Sequence, residues 1–456
     1  MLIRRLLWPS VVDLTEVEKC PACYGVSLCP AVTRGLITLH PFGTATGLLN
    51  MLGSKNVLFG MLGSQKVVLK KLGNAEELEQ LDKVICDNTD LGSSCHVNEA
   101  VWKQGDLLQS MREHVASQDG SLFLCPAVAN LEHLFSNVFD KNKDISTKVL
   151  HANIWTSVMI NPEPLLLQVL QEQDGWPVAK YVGACGRVVV EEYAGEMLTS
   201  YHNAPWLQRA YFAYQLLIAA HNFTDSHPYF GFYLTDMSAD NIAVDAQGRL
   251  RFVDLENVIV LDRNVPDEDK PLSWNIPHVS ESFDCNGCFA FSAADICSHS
   301  RSDHNFYAVC QHLLGPQAAP AIIPGGLLHD TPPAHASILE LVQECSEPMN
   351  SSGRFRAAQD LTALLAKVLR QHSFTAASGA PLIFSLSLAQ KCRRDKITLQ
   401  TMQLIMKHGC TVVAHKTKQQ SPQWKTFAPP VPKPKVILIA QDCQLKKYCA
   451  PCIYED

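Results

Sequence analysis

No stretch of this 456-residue chain is apolar for the roughly 20 residues that a membrane-crossing helix requires, so no spanning segment is expected. Long Lys/Arg runs are also missing, and with a formal net charge of −7 the chain offers no basic footprint for nucleic acid. The start, MLIRRLLWPSVVDL, lacks an unbroken apolar core followed by a cleavage site, because Arg4 and Arg5 split its apolar run; the expectation is a truncated start. Apolar residues are not scarce: at 47% they can form a large core, and the length allows two or three domains. Cysteine is abundant as well, with seventeen in the chain.

Residues 233–256 read YLTDMSADNIAVDAQGRLRFVDLE. Ile242 to Val244 and Leu250 to Val253 are short apolar or β-branched runs, and DAQG between them supplies turn chemistry, so the segment reads as two antiparallel strands. That hairpin brings Asn241 near Asp254. Asp236, Asn241 and Asp254 stand at the spacing of a protein kinase's proton acceptor and its two metal ligands. On this reading Asp236 is catalytic, and Asn241 and Asp254 hold Mg²⁺ or Mn²⁺ with ATP.

Upstream, KVVLKKL from Lys66 is a β-branched strand carrying Lys70 in the position of a nucleotide lysine. The next segment, Asn74 to Ile85, spaces Glu77, Leu78, Leu81 and Ile85 as a helix, and Glu77 is the expected partner of Lys70. The run Val57 to Lys70 offers only Gly60 and Gly63 where a kinase carries a GxGxxG phosphate loop, and two isolated glycines before a strand read rather as a plain turn. Tyr181 to Leu198 reads as strand, turn and strand running into a hinge-like Glu192–Glu196. Pro205 to Ala220 reads as a buried helix, with Pro205 suited to its first turn. Asp303 to Leu314 reads as a central helix whose leading Asp303 is expected to bond the catalytic-loop backbone, or simply to favour the helix start.

Taken with these, CPACYG from Cys20, VVLKKLG from Val67, DGWP from Asp174, KYVGACGR from Lys180, NAPW from Asn203, DHNFYAVCQ from Asp303, GGLLHD from Gly325 and GRFRAAQ from Gly353 resemble the divergent protein kinase domain 2 family, in its deleted-in-autism protein 1 branch. The resemblance covers residues 20 to about 370. It implies a kinase-like fold in a secretory-pathway protein, Golgi-resident and secreted, and hence a missing family-type signal at the start. The chain departs from a kinase at three points. Leu234 and Thr235 replace the His and Arg before the catalytic Asp, Glu256 replaces the Gly after Asp254, and no basic residue lies between Asp236 and Asn241. Losing one oriented charge at a transferred phosphate forfeits about 3 kcal/mol of transition-state stabilisation.

Twelve cysteines (20, 23, 29, 86, 95, 125, 185, 285, 288, 297, 310 and 345) lie inside the region of resemblance. The clusters at 20, 23, 29 and at 285, 288, 297 admit zinc or disulfides. The oxidising compartment that the family implies, and the lack of four local ligands, favour disulfides over zinc. Asn222-Phe223-Thr224 and Asn350-Ser351-Ser352 are sequons that matter in that compartment. The long separation of Lys70 from Asp236 implies an inserted helical segment over residues 86 to about 160. Within it Asp140, Asn142 and Asp144 mimic the start of a calcium loop, but Ile145 and His151 stand where Gly and the bidentate acid are required, so the segment reads as a solvated turn. Past about 370, fragments such as APPVPKPK and five cysteines (392, 410, 443, 449, 452) suggest an alternative exon with little structure.

The expected fold is therefore α+β: a bilobal protein-kinase-like fold with a Cys-bearing insertion and a disordered C-terminal tail. Residues 1–30 form an N-terminal Cys segment, 31–192 an N-lobe with the insertion, 193–370 a C-lobe and 371–456 the tail. Two functions follow from the residues together with what the resemblance implies. One is an ATP- and metal-dependent phosphotransferase acting on an unidentified protein acceptor, with Lys70 and Glu77 positioning phosphates. The other is a pseudokinase acting as a secreted or Golgi signalling ligand for a cell-surface receptor.

Overall fold

The structure is a computed structural model that describes residues 10–40, 57–281 except 88, 90–94, 119 and 143, then 290–316, 322–349 and 353–372, and three strands between 411 and 454. The chain divides into two compact units, Met1–Phe374 and Thr375–Asp456. In the second, strands β12 (Thr411–Lys416), β13 (Val436–Gln441) and β14 (Cys452–Tyr454) pair antiparallel in that order. Apart from these strands, the expectation of a tail with little structure falls outside the described residues.

The first unit has the expected mixture of helix and sheet. Its five-stranded sheet runs β1 (Ile37–Leu39), β2 (Val57–Leu62), β3 (Gln65–Lys70), β6 (Val188–Glu192), β5 (Tyr181–Cys185), every neighbour antiparallel. Side chains alternate across a strand. Val67, Leu69, Val188 and Val190 pack into one apolar cluster with Val32, Ile37 and Leu58. Lys70 and Glu191 therefore fall on the opposite face, where the Lys70↔Val189 and Val68↔Glu191 register sets them close together.

Over Val57 to Lys70 the plain-turn reading holds: the stretch is the β2–β3 hairpin, closed at Gly63-Ser64 with Gly63 at φ 58°. Gly60 lies inside β2, where a Cβ would stand 2.5 Å from the Thr38 carbonyl oxygen, so it serves strand approach rather than phosphate. The β1–β2 connection carries Gly43, Gly47 and Gly53, and its residues 41–56 lie outside the described set.

After β3 the chain enters α1 (Ala75–Asp87), whose Leu78, Leu81 and Ile85 are buried as the spacing implied. Helices α2 (Leu107–Ser117) and α3 (Thr147–Ile160) follow, and then α4 (Glu163–Val169). The inserted segment is not wholly helical. Phe123–Cys125 forms β4, which pairs in parallel with β11 (Val258–Asp262), itself antiparallel to β8 (Phe230–Leu234). A disulfide from Cys125 to Cys297 ties the same segment to the C-terminal half. Asp140 and Asp144 are exposed around the turn that ends the preceding helix.

The C-terminal half is built on α5 (Trp206–His221), α6 (His304–Val309), α7 (Ser337–Ser346) and α8 (Gly353–Gln371). Pro205 caps α5, and Ala210, Phe212, Ala213, Leu216, Leu217 and Ala220 on it are buried. Strands β9 (Ile242–Val244) and β10 (Leu250–Phe252) form the expected hairpin. Its turn is held by Asp245 Oδ1, which accepts from the Gln247 and Arg249 amides at 2.9 Å each. Gln215 of α5 clamps the hairpin: its Nε2 donates to the Gly248 carbonyl at 2.9 Å and its Oε1 accepts from the Leu250 amide at 3.1 Å. Strand β7 (Glu196–Met197) adds to β9 just after the hinge-like segment.

Among the described residues, ten cysteines form five disulfides: Cys20–Cys23, Cys29–Cys185, Cys86–Cys95, Cys125–Cys297 and Cys310–Cys345. This supports disulfides over zinc at Cys20, Cys23, Cys29 and Cys297. Cys285 and Cys288 lie outside the described residues, as does the Asn350 sequon. At the other sequon Thr224 is buried and its hydroxyl accepts from Asn305 Nδ2 at 3.0 Å.

Candidate active site

Lys70 ends β3 and is buried. Its Nζ donates to Glu163 Oε1 at 2.7 Å, forms an ion pair with Glu191 Oε1 at 3.3 Å, and donates to the Val253 carbonyl. Burial alone lowers the Lys70 pKa, but the Glu163 and Glu191 carboxylates outweigh it, and the group lies above an ordinary lysine.

The expected pairing of Lys70 with Glu77 is corrected. Glu77 closes a capping box at the start of α1: its amide donates to Asn74 Oδ1 at 2.9 Å, and its Oε2 accepts from the Asn74 amide at 2.7 Å. Glu163, at the start of α4, takes the place assigned to it. The signal for Glu163 was present in the sequence. It is a lone acid at the head of the apolar run PLLLQV, directly after Asn161-Pro162. In a helix that packs into a core, such an acid needs a buried cation.

Glu163 does more than hold the lysine. Its Oε2 accepts from the Leu255 amide at 3.0 Å, and its own amide donates to Asn161 Oδ1 at 3.0 Å. Asn161 Nδ2 in turn donates to Glu256 Oε2 at 2.8 Å. One carboxylate thus joins β3 to the backbone on the far side of Asp254, while Lys70 grips the carbonyl on its near side.

The hairpin brings Asn241 beside the residue before Asp254: the Val253 amide donates to the Asn241 carbonyl at 3.0 Å. Burial, reinforced by Glu163 and Glu256 and opposed by Lys70, pushes Asp254 up to about 6. Glu256 is raised by the same combination of burial and neighbouring carboxylates, among them Asp236. Asp236 itself is exposed, on the loop between β8 and β9.

That loop is tethered to α6, though not by Asp303. The expectation for Asp303 is corrected: its Oδ1 accepts from the Ser280 amide at 2.8 Å, and its Oδ2 pairs with the buried Arg354. The next two residues do the tethering. Leu234 gives its amide to Asn305 Oδ1 at 3.0 Å, and its carbonyl lies 2.9 Å from His304 Nε2. Asn305 Nδ2 also donates to the Phe232 carbonyl at 2.8 Å.

Comparison with known proteins agrees with this geometry. The family described as the protein-kinase domain of FAM69 matches residues 154–348, a span that begins in α3 and holds Glu163, Glu191, Asp236, Asn241 and Asp254. The divergent protein kinase domain 2A proteins of Xenopus tropicalis and Homo sapiens are each 36% identical to this chain, over 377 and 378 residues, covering 77% of it and 87% of their own length. Divergent protein kinase domain 2B of Bos taurus is 25% identical over 268 residues, covering 54% of this chain and 60% of its own length. The kinase-like fold, the ion pair beneath Asp254 and these identities together show that the chain belongs to the divergent protein kinase domain 2 family.

Proposed function

We propose that this chain is a secretory-pathway phosphotransferase that binds ATP with Mg²⁺ or Mn²⁺ and acts on a protein acceptor. The observation that carries the reading is the Lys70–Glu163 pair, which fixes the backbone on both sides of Asp254. Asn241 and Asp254 would hold the metal. They fit one: the donors are hard oxygens, and the carboxylates of Asp254 and Glu256 are both raised by burial and by Glu163, a cost that a divalent cation relieves. When bound, such a cation neutralises the phosphate oxygens. Asp236, exposed on its tethered loop, accepts the proton of the acceptor hydroxyl. Lys70 supplies fixed positive charge to the phosphates, and Glu163 orients it. Five disulfides support assignment to the oxidising secretory pathway, Golgi and secreted.

A second reading, a pseudokinase serving as a signalling ligand for a cell-surface receptor, is favoured by one observation. The loop from Asp236 to Asn241 contains no Lys or Arg to meet a transferred phosphate. A transfer assay decides between them. The full chain, with ATP and Mn²⁺ or Mg²⁺, is presented with protein and sugar acceptors alongside Asp236→Asn, whose amide keeps the shape without accepting the proton. The phosphotransferase reading expects transfer by the parent and at least about a hundredfold loss in the variant. Equal transfer by both removes Asp236 as base, and ATP binding without transfer to any acceptor favours the pseudokinase.

A further inference from the structure

Lys70 carries three N–H donors. Two of them bond Glu163 and the Val253 carbonyl, and Glu191 Oε1 stands 3.3 Å from the ammonium as an ion-pair partner without a hydrogen bond, so Lys70 is surrounded before any nucleotide arrives. The three partners are not equivalent. Glu163 is fixed from both ends, by Lys70 at 2.7 Å and by the Leu255 amide at 3.0 Å. The Val253 carbonyl belongs to a backbone pinned to Asn241 at the end of the β9–β10 hairpin. Glu191 is the longest of the three contacts at 3.3 Å, and it reaches Lys70 from β6, immediately before the hinge-like segment. It is also an acid in the middle of a sheet, with Val188, Val189 and Val190 buried beside it. A β-branched residue would continue that strand without cost.

We propose that Glu191 is a positioning residue that occupies the phosphate place on Lys70, so that nucleotide binding exchanges the Glu191 carboxylate for a phosphate oxygen. Glu191 thereby sets how tightly the site holds nucleotide phosphates. The inference rests on the phosphotransferase reading of this site. Two effects act in the same direction: the carboxylate fills the third side of the ammonium at 3.3 Å, and its negative charge opposes an incoming phosphate. Of the three partners Glu191 is the one a phosphate displaces most easily, because its contact is the longest, at 3.3 Å, and its Oε1 makes no hydrogen bond.

The test uses the full chain and three substitutions. Glu191→Met removes both oxygens while keeping length; Glu191→Asp withdraws the carboxylate by one methylene and serves if the first variant fails to fold; Glu191→Gln keeps an acceptor oxygen on Lys70. Two quantities are read: the dissociation constant for ATP with Mg²⁺, and the rate at which an amine-acylating reagent modifies Lys70, followed by peptide mass. Glu191→Met is expected to bind ATP roughly fivefold more tightly and to label at Lys70 roughly fivefold faster. Glu191→Asp and Glu191→Gln, which each keep one of the two effects, should move both the same way by less. A merely structural Glu191 would loosen binding when lost. Binding that is unchanged or weaker, with Lys70 labelling unchanged, overturns the proposal. If no form binds nucleotide but labelling at Lys70 still rises in Glu191→Met, the hold of Glu191 on Lys70 stands and the phosphotransferase reading is what fails.

Discussion

Replacing Glu163 should damage this protein far more than replacing Glu77, although the spacing of α1 favoured the latter as the partner of Lys70. Glu163→Ala removes a 2.7 Å ion pair between two buried side chains and leaves the buried Leu255 amide without its acceptor. Breaking a buried pair by deleting one member costs about 3–5 kcal/mol, and an orphaned buried amide costs about 1–3 kcal/mol. Glu191 remains beside the lysine and offsets part of the loss, so a net cost of about 3 kcal/mol is expected. Glu163→Gln keeps an acceptor for one of the two donors and should lose less. Glu77→Ala removes only an exposed capping box, costing about 1 kcal/mol. Urea unfolding of the three variants and the parent, compared by midpoint where the slopes agree, measures these differences. A loss from Glu77→Ala equal to or larger than that from Glu163→Ala would refute the assignment.

Two further outcomes follow from the same geometry. Asp254 has a folded pKa of about 6 against an ordinary 3.8, so its protonation stabilises the fold fully below about pH 3.8, and that contribution is lost as pH rises through about 6. Without metal, Asp254→Asn should therefore be more stable than the parent at pH 7.5, by up to about 3 kcal/mol, and nearly equal to it below pH 4; thermal melts across this range would contradict the assignment if the difference grew toward low pH. The Cys125–Cys297 disulfide closes a separation of 172 residues, so the paired substitution Cys125→Ser with Cys297→Ser should cost about 2–5 kcal/mol, read as a lower melting temperature under non-reducing conditions; an unchanged melt would show that the crosslink does not restrain the unfolded chain.

Much of the site was legible where the chemistry is local. The DAQG turn with its Asp245 acceptor dictated the β9–β10 hairpin, and the hairpin delivered Asn241 to the neighbourhood of Asp254. Alternation along β3 put Val67 and Leu69 in one core and so sent Lys70 to the opposite face. What escaped depends on contacts between distant segments. Glu163 is 93 residues from Lys70, beyond an insertion whose helices had to be packed before the acid on α4 could be placed. Glu77 had the right spacing for a helix, but an acid three residues after Asn74 satisfies the free amides of the helix start, which is the nearer demand. At α6 the carboxylate of Asp303 was claimed by Arg354, and the polar groups of His304 and Asn305 bond the β8 backbone instead. Gly60 read as part of a turn, whereas it lies within β2 and the close approach of Thr38 on the neighbouring strand is what requires it.

The central claim, that Lys70, Asn241 and Asp254 form a metal-nucleotide site, is tested most directly by calorimetric titration of ATP with Mn²⁺ or Mg²⁺ into the full chain at pH 7.5, in parallel with Asp254→Ala. Saturable binding by the parent that requires the divalent cation and is lost in Asp254→Ala is the expected result. Absence of binding at millimolar ATP in the folded parent, or binding that Asp254→Ala leaves unchanged, would contradict it.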